Sequence, residues 1–390
     1  MKKSVYQRFG LTLLGPVLFL FGANALVASD EALLEVLLRE GVLTTEQVEE
    51  VRAQATVKAE ANRNIVSSLR IRGRIQPQFG YVRARNEAGE TDEYSTFEMR
   101  RVRLGAAGTI GDDWSFLFEA NVTPDNVNLQ FASLRWRAFP EANIVMGFDR
   151  PVFGHEIYTS SAFLLTPERS NLSSTFLPSS RISLTGVQVQ GQWEDFTYSA
   201  GVYNSEIGTN SAGESSRYLF GGHVGGPLPD LGEATQSFRL DYLQNEKEDS
   251  SLLFVNKAAA LSHQFAWGAL ETRSEVMWGE SFGGDSVGGF YVMPAWSITD
   301  DWQVVARYEW MKAGFDDGIP APNRYIRRVF ADDRRGDRFD AVYAGINYYL
   351  MGHDMKLQWG LEWSDLRDTR TGSGERLHGV TAIGGARLLF

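Results

Sequence analysis

The chain has 390 residues, a formal net charge of −11, a mean hydropathy of −0.24 and no cysteine. Its acidity argues against a nucleic-acid partner, and the missing cysteines exclude disulfides and thiolate metal sites. Beyond the N-terminal stretch no run approaches the ~20 apolar residues that a membrane-spanning helix needs.

Residues 1–28 read as a secretory signal peptide. Lys2, Lys3 and Arg8 form a basic start, residues 11–22 an apolar stretch, and Ala23-Asn24-Ala25 fits the small-residue cleavage pattern, with a cut after Ala28 as its competitor. A membrane anchor fits less well, because the apolar stretch is short for a span. Loss of the signal removes three positive charges and no acid, leaving −14. Residues 29–65 follow as a periplasmic amphipathic segment. Leu33, Leu34, Val36, Leu37, Leu38, Val42, Leu43, Val48 and Val51 recur at helical spacing, Gly41 breaks the run, and Thr44-Thr45-Glu46-Gln47 offers a capping box for a second helix. This segment reads either as an oligomerisation or cell-wall-facing module or as a spacer.

From residue 66 to residue 390 the pattern changes to period 2. Leu69-Ile71-Gly73-Ile75, Trp114-Phe116-Phe118-Ala120-Val122, Trp302-Val304-Ala306-Tyr308-Trp310 and Met355-Leu357-Trp359-Leu361-Trp363 alternate with Arg, Gln, Glu, Ser, Gly and Asn. The segments in chain order are 67–84, 94–110, 113–123, 127–139, 142–149, 181–193, 195–205, 217–226, 236–246, 250–264, 268–280, 286–298, 301–314, 337–351, 353–366 and 375–390. So many long strands with a polar inner phase predict an all-β fold, a transmembrane antiparallel barrel of about 16 strands with water inside. The 10 Trp, 14 Tyr and 24 Phe suit its two interfacial girdles. Tight connections (Gly111-Asp112-Asp113, Pro140-Glu141, Glu194-Asp195, Thr299-Asp300-Asp301, Gly352-His353) interleave with more variable ones. Short turns belong to the periplasmic rim and longer loops to the outside, which places the protein in a bacterial outer membrane, in contact with its lipid and lipopolysaccharide. Residues 227–235 are the exception, a long connection on the short-turn side.

The third external loop, residues 150–180, carries Arg150, His155, Glu156, Glu168 and Arg169, with Arg181 at its exit. Its apolar Phe153, Tyr158, Phe163, Leu164 and Leu165 suit insertion into the barrel. Alternation places Arg70, Arg72 and Arg74 of the first strand, Arg101 and Arg103 of the second, and Arg135 and Arg137 of the fourth in the lumen. Arginine on the lipid face would cost roughly 2–4 kcal/mol at mid-bilayer. The expected pore-lining, anion-binding set is therefore Arg70, Arg72, Arg74, Arg101, Arg103, Arg135, Arg137, Arg150, Arg169 and Arg181. Glu119, Glu309 and Glu362 also face inward and offset some of this charge. The second long loop, 315–335, reads as a solvated mixed-charge loop, with a divalent-cation or lipopolysaccharide contact as the alternative. Five dispersed histidines, no G-x-S-x-G elbow and no phosphate-cradling loop leave no enzyme signature, no metal site and no cofactor.

At Phe97-Glu98-Met99-Arg100-Arg101-Val102-Arg103-Leu104-Gly105, Gly108 and Asp112-Asp113-Trp114-Ser115-Phe116 the sequence resembles the phosphate-selective porin O and P family. Val145-Met146-Gly147-Phe148-Asp149-Arg150-Pro151-Val152-Phe153-Gly154 is similar to that family's approach to its constricting loop, and Thr166-Pro167-Glu168-Arg169-Ser170 to its E-R element. Arg387-Leu388-Leu389-Phe390 resembles an aromatic-ended insertion signal. The resemblance covers roughly residues 94–169 and implies a sixteen-stranded barrel, commonly a homotrimer, that passes phosphate or polyphosphate. The seven lysines, three of them ahead of the barrel, depart from the lysine-assisted pattern of the family. The expected function is an outer-membrane porin for passive diffusion of small anions. A general or sugar/nutrient porin without anion preference, and a structural anchor acting through the N-terminal helices, are the alternatives.

Overall fold

The computed structural model describes residues 38–39, 44–49 and 66–390, except 125, 178–182, 206–216, 247–254, 316–317, 322–324, 331–334 and 371–374. The chain divides into two units, Met1–Ile65 and Val66–Phe390. In the first, Thr44 caps a helical turn. Its Oγ1 accepts from the Gln47 backbone N–H at 3.2 Å, and the Gln47 side chain accepts from the Thr44 N–H at 2.9 Å, the reciprocal box expected from the sequence. The expected signal peptide and most of the segment expected to be helical lie outside the described residues.

The second unit is a closed antiparallel barrel of sixteen strands. They are β1 (Val66–Asn86), β2 (Thr91–Ile110), β3 (Trp114–Thr123), β4 (Asn126–Phe139), β5 (Ala142–Asp149), β6 (Leu184–Trp193), β7 (Phe196–Asn204), β8 (Tyr218–Leu231), β9 (Ala234–Asn245), β10 (Val255–Trp267), β11 (Leu270–Ser281), β12 (Ser286–Ser297), β13 (Trp302–Ala313), β14 (Arg338–Met351), β15 (Met355–Arg367) and β16 (Arg376–Leu389). The sixteen segments read from the sequence are these strands, displaced by a few residues at their ends. Each strand pairs with its neighbours in sequence, and β1 pairs with β16 from Arg74↔Leu389 to Asn86↔Leu377. Closure satisfies every ladder edge internally, which a strand bundle surrounded by hydrocarbon requires.

Alternation sorts the side chains as expected. Leu69, Leu104, Phe118, Leu134, Val304 and Leu361 face outward and are exposed, while Arg74, Arg101, Glu119, Arg307, Glu309 and Glu362 are buried inside. Outward aromatics mark the short-turn rim: Trp114 stacks on Trp136 at 5.8 Å and Trp302 on Tyr348 at 4.5 Å.

The connection after β8 corrects the sequence reading. Residues 227–235 are not a long turn. β8 runs to Leu231 and β9 begins at Ala234, leaving a tight turn in which Gly232 takes φ 65°. Pro227 and Pro229 suggest a break because proline donates nothing to a ladder, but the ladder is already irregular between Leu228 and Leu231. There the Gln236 side chain donates to the Pro229 carbonyl at 2.6 Å. All connections on that rim are therefore short.

Phe390 extends the β1–β16 seam. The Gly73 N–H donates to its carbonyl at 2.7 Å, and its own N–H donates to the Gly73 carbonyl at 3.2 Å. The ring lies directly over Gly73, where an added Cβ would come within 2.2 Å of ring carbon. Gly73→Leu should expel the ring and weaken the last pairing. The expected outcome is a loss of at least half of the heat-resistant folded species on an unheated gel, against no change for Gly283→Ala, whose added Cβ would meet only side-chain oxygens, at ordinary contact distances.

Candidate functional site

The lumen is built around the loop that follows β5. It carries two short helices, α1 (His155–Tyr158) and α2 (Asn171–Phe176), and most of its described residues are buried. Half of its attachment is apolar. Phe153, Ile157, Leu165, Leu172 and Phe176 join one cluster with the inward-facing Met277, Val287, Tyr291, Met293, Met311 and Phe339. Burial of each such side chain contributes about 1.5–3 kcal/mol.

The other half is polar. Lys356 donates to the Leu164 carbonyl at 2.8 Å, Asn347 and Gln358 to the Leu165 carbonyl at 2.9 and 3.0 Å, and Arg387 to the Ser161 and Pro167 carbonyls. Glu275 accepts from the His155 and Glu156 backbone N–H groups at the start of α1, and Glu309 from the Leu172 N–H in α2. Glu156 accepts from the Ser170 N–H at 3.0 Å and from the Ser170 and Ser173 hydroxyls at 2.6 Å each, which ties the two helices together. The loop's backbone polar groups are thus paired with the barrel wall, as burial demands.

The arginines divide into two groups. Arg70, Arg135 and Arg137 are exposed inside the barrel and have no ion-pair partner among the described residues. The others are engaged. Arg72 and Arg103 flank Glu119 at 3.4 and 3.0 Å. Arg74 donates to the Ser160 and Ser161 hydroxyls. Arg101 donates to Gln76 at 3.0 Å and lies 3.9 Å from Glu168. In the loop, Arg150 donates to the Tyr158 carbonyl at 2.6 Å, and Arg169 to the Glu156 and Thr159 carbonyls at 3.0 and 2.6 Å. Arg181 lies outside the described residues.

Arg100 belongs to this wall although strict alternation points it at lipid. Gln76 pairs with Arg101 and Pro77 with Met99, so the ladder skips Arg100 at a bulge. Its guanidinium grips Glu168 with two donors, at 2.6 and 2.9 Å. Pro77, which has no N–H, is the signal in the sequence for that irregularity. Arg307 and Arg387 also belong to the lumen and follow from the same alternation that finds Glu309. Arg307 meets Glu362 at 2.9 Å and Glu156 at 3.7 Å.

The loop of residues 315–337 does not stay in solvent. Tyr325 and Ile326 are buried, the Tyr325 ring lies over Gly80, and its hydroxyl donates to Glu98 at 2.8 Å while accepting from Gln78 at 2.7 Å. Its alternating charges hide this apolar foot from a composition argument. Arg324 and the acids Asp316, Asp317, Asp332 and Asp333 lie outside the described residues.

Burial depresses the Arg150 guanidinium to about 9, and the cations of Arg169 and Arg103 act in the same direction. It depresses His155 to about 4, helped by Arg239 and Arg273, so this ring is neutral at neutral pH. Burial alone would raise the Glu168 carboxyl, but Arg100 and Arg101, with hydrogen bonds from Arg100 and Gln78, hold it well below the usual carboxylate range. The local field is therefore cationic and under-compensated. Nε atoms of Arg74, Arg103, Arg150 and Arg387 are buried without a hydrogen-bond partner.

Two recesses lie on the short-turn side of the loop. One of about 320 Å³ is lined by Arg70, Arg72, Arg74, Glu119, Ser160 and Phe163, the other of about 510 Å³ by Tyr158, Gln190, His223 and Arg239. Among the described residues no group of His, Asp and Glu could hold a metal ion, and no helix is long and apolar enough to cross a membrane.

Glu168→Gln should release this end of the loop, costing roughly 3–5 kcal/mol locally because Arg100 and Arg101 keep buried charge without a counter-ion. Single-channel recordings should show larger and noisier conductance. The pH dependence has a definite sign. Since the folded carboxyl titrates below its ordinary value of 4.5, its clamp is complete above that pH and is lost only as pH falls through the lower, folded value. Wild-type conductance should stay quiet from pH 7 through 4.5 and become noisy only well below that, while Glu168→Gln should be noisy throughout.

The phosphate-selective porin O and P family matches the chain over residues 69–251. The curated proteins contain no match. Among solved structures, the chain is similar to an anion-selective porin from Comamonas acidovorans at 14% identity and a TM-score of 0.55, covering 83% of this chain and 99% of that one. It is similar to the outer membrane channel DcaP of Acinetobacter baumannii at 11% identity and 0.55, covering 83% and 97%. A trimer form of the outer membrane protein OmpT of Vibrio cholerae gives 12% and 0.53, covering 83% and 99%. At these identities the likeness is one of fold.

Proposed function

We propose that this chain, which the phosphate-selective porin O and P family matches over residues 69–251, is a bacterial outer-membrane porin whose channel favours small anions, phosphate or polyphosphate among them. Its role is passive transport rather than catalysis. The observation that carries the reading is the uneven charge of the lumen. Eight arginines of β1, β2 and β4 point inward (Arg70, Arg72, Arg74, Arg100, Arg101, Arg103, Arg135, Arg137), against Asp92 and Glu98 of β2, Glu119 of β3 and Asp149 of β5 on the same wall. A wall with this excess of cations concentrates counter-ions. Several weak sites let an anion leave again, so no energy source is needed.

Within this wall the exposed arginines carry the conduction. Arg70, Arg135 and Arg137 can exchange water for an anion at no structural cost, whereas Arg74, Arg101, Arg150 and Arg169 chiefly hold the loop, Arg103 is held by Glu119 on the wall, and all five supply background potential. Phosphate rests on the family and on the fork geometry of arginine. A homotrimer is the expected assembly, in line with the trimer form of the Vibrio cholerae neighbour.

Reversal potentials under a KCl gradient in planar bilayers test the proposal. The wild type should favour chloride, and added phosphate should block chloride current. The triple variant R70Q/R135Q/R137Q should fold normally and lower the anion-to-cation permeability ratio by a factor on the order of 10 at low salt. A wild-type reversal potential on the cation side would overturn the reading. Chloride and phosphate passing without preference would favour a general nutrient porin.

A further inference from the structure

The outer face of the barrel carries a charge pattern that the pore does not use. Near the long-loop rim, Lys312 of β13 pairs in register with Arg338 of β14, Arg338 with Arg367 of β15, and Arg367 with Arg376 of β16. All four lie on the outward phase, and Arg338, Arg367 and Arg376 are 48%, 36% and 44% exposed. Four cations directly opposite one another across adjacent strands destabilise a sheet, and the two acids beside them leave the row with an excess of positive charge. It spans three inter-strand spacings, about 14 Å.

The next outward positions down the wall are Trp310, Asp340, Asp365, His378 and Arg85, again in register. Asp365 is fully buried between two guanidiniums. It accepts from Arg376 Nε at 2.7 Å and Nη2 at 2.8 Å, and from Arg367 Nε at 2.9 Å. Asp340 lies 3.4 Å from Arg338 and accepts from the Tyr308 hydroxyl at 3.3 Å. These two acids hold the arginines in fixed orientations but neutralise only part of the row. One step lower the face becomes apolar and aromatic, with Tyr308, Val342, Trp363 and Val380 in register. The sequence of layers is hydrocarbon, aromatic, then ordered cations, which is the profile of a bilayer interface that meets anionic headgroups.

We infer that Lys312, Arg338, Arg367 and Arg376 form a binding site for the phosphate groups of an outer-leaflet phosphoglycolipid. Its acyl chains lie along the Trp363 face. The guanidinium edges of Arg367 and Arg376 that Asp365 leaves unused, held in place by that carboxylate, take one phosphate, and Lys312 with Arg338 takes the other.

The test uses the purified full chain in detergent, with native mass spectrometry counting bound bisphosphorylated lipid A. The wild type should retain it and release the dephosphorylated form. K312Q/R338Q, which leaves the Asp365 cluster intact, should bind at least tenfold more weakly, with conductance and heat-resistant mobility unchanged. R367Q/R376Q should lose binding further. Equal retention by K312Q/R338Q, or equal retention of dephosphorylated lipid A by the wild type, would overturn the assignment. Competition by inorganic phosphate as effective as that by lipid A would make the row a free-phosphate site and overturn the lipid assignment. Loss of the oligomer with lipid binding intact would make it an interface between copies and overturn it too.

Discussion

The pairing of β1 with β16 is the constraint from which the rest follows. A strand edge left open in hydrocarbon would expose a column of N–H and C=O groups, each unpaired one costing several kcal/mol. Closure removes that cost and leaves only two faces for side chains. Every residue of every strand then meets either lipid or lumen, and a change of phase would move a whole strand's charges into hydrocarbon. The Gly73–Phe390 contact sits at this seam, where the bare glycine backbone gives the last ring a place to lie.

Once closed, a barrel of sixteen strands has an interior too wide for wall side chains to fill. The loop between β5 and β6 occupies part of it, and its attachment explains why so many lumen groups are charged. An apolar loop on an apolar wall would pack but would have no partner for its backbone. Lys356, Asn347, Gln358 and Arg387 supply donors to its carbonyls, while Glu275 and Glu309 accept from its N–H groups. Glu168 is the point where loop and arginine wall meet, and its carboxylate orients Arg100 while leaving the surrounding cations in excess. The same arginines thus serve as mechanical anchors and as the source of the field. That dual role is why a charge count alone does not identify the groups that touch ions.

How much of this was legible follows from the physics of each signal. Period-2 alternation depends only on the pleat, so the strands, their phase and the lumen positions of Arg70, Arg103, Arg135 and Arg137 could be read directly. Bulges break that period without changing composition, so Arg100 was hidden although Pro77 opposite it was the clue. Pro227 and Pro229 misled in the other direction, because proline at an irregular ladder position loses nothing. Tyr325 was invisible for a different reason. Its burial depends on Gly80, far away in sequence, and no local pattern encodes a long-range cradle. Arg307, Arg387 and Glu362 were encoded by alternation, but the further partners Glu156 and the Ser161 carbonyl arrive only with the inserted loop.

Inside and outside the barrel, the same chemistry is therefore used under opposite constraints. In the lumen, water can solvate an arginine that lacks a partner, so Arg135 and Arg137 can remain exposed there. On the outer wall near the long-loop rim, solvation falls off toward the hydrocarbon within one residue step. Cations aligned there must be oriented by buried acids such as Asp365, or compensated by whatever occupies the interface. The register from Lys312 to Arg376 keeps four of them together where alternation alone would have allowed neutral residues. A row that the sheet must tolerate at a cost in repulsion is evidence of a role beyond the fold, in the same way that the excess of arginine over acid in the lumen is evidence of one.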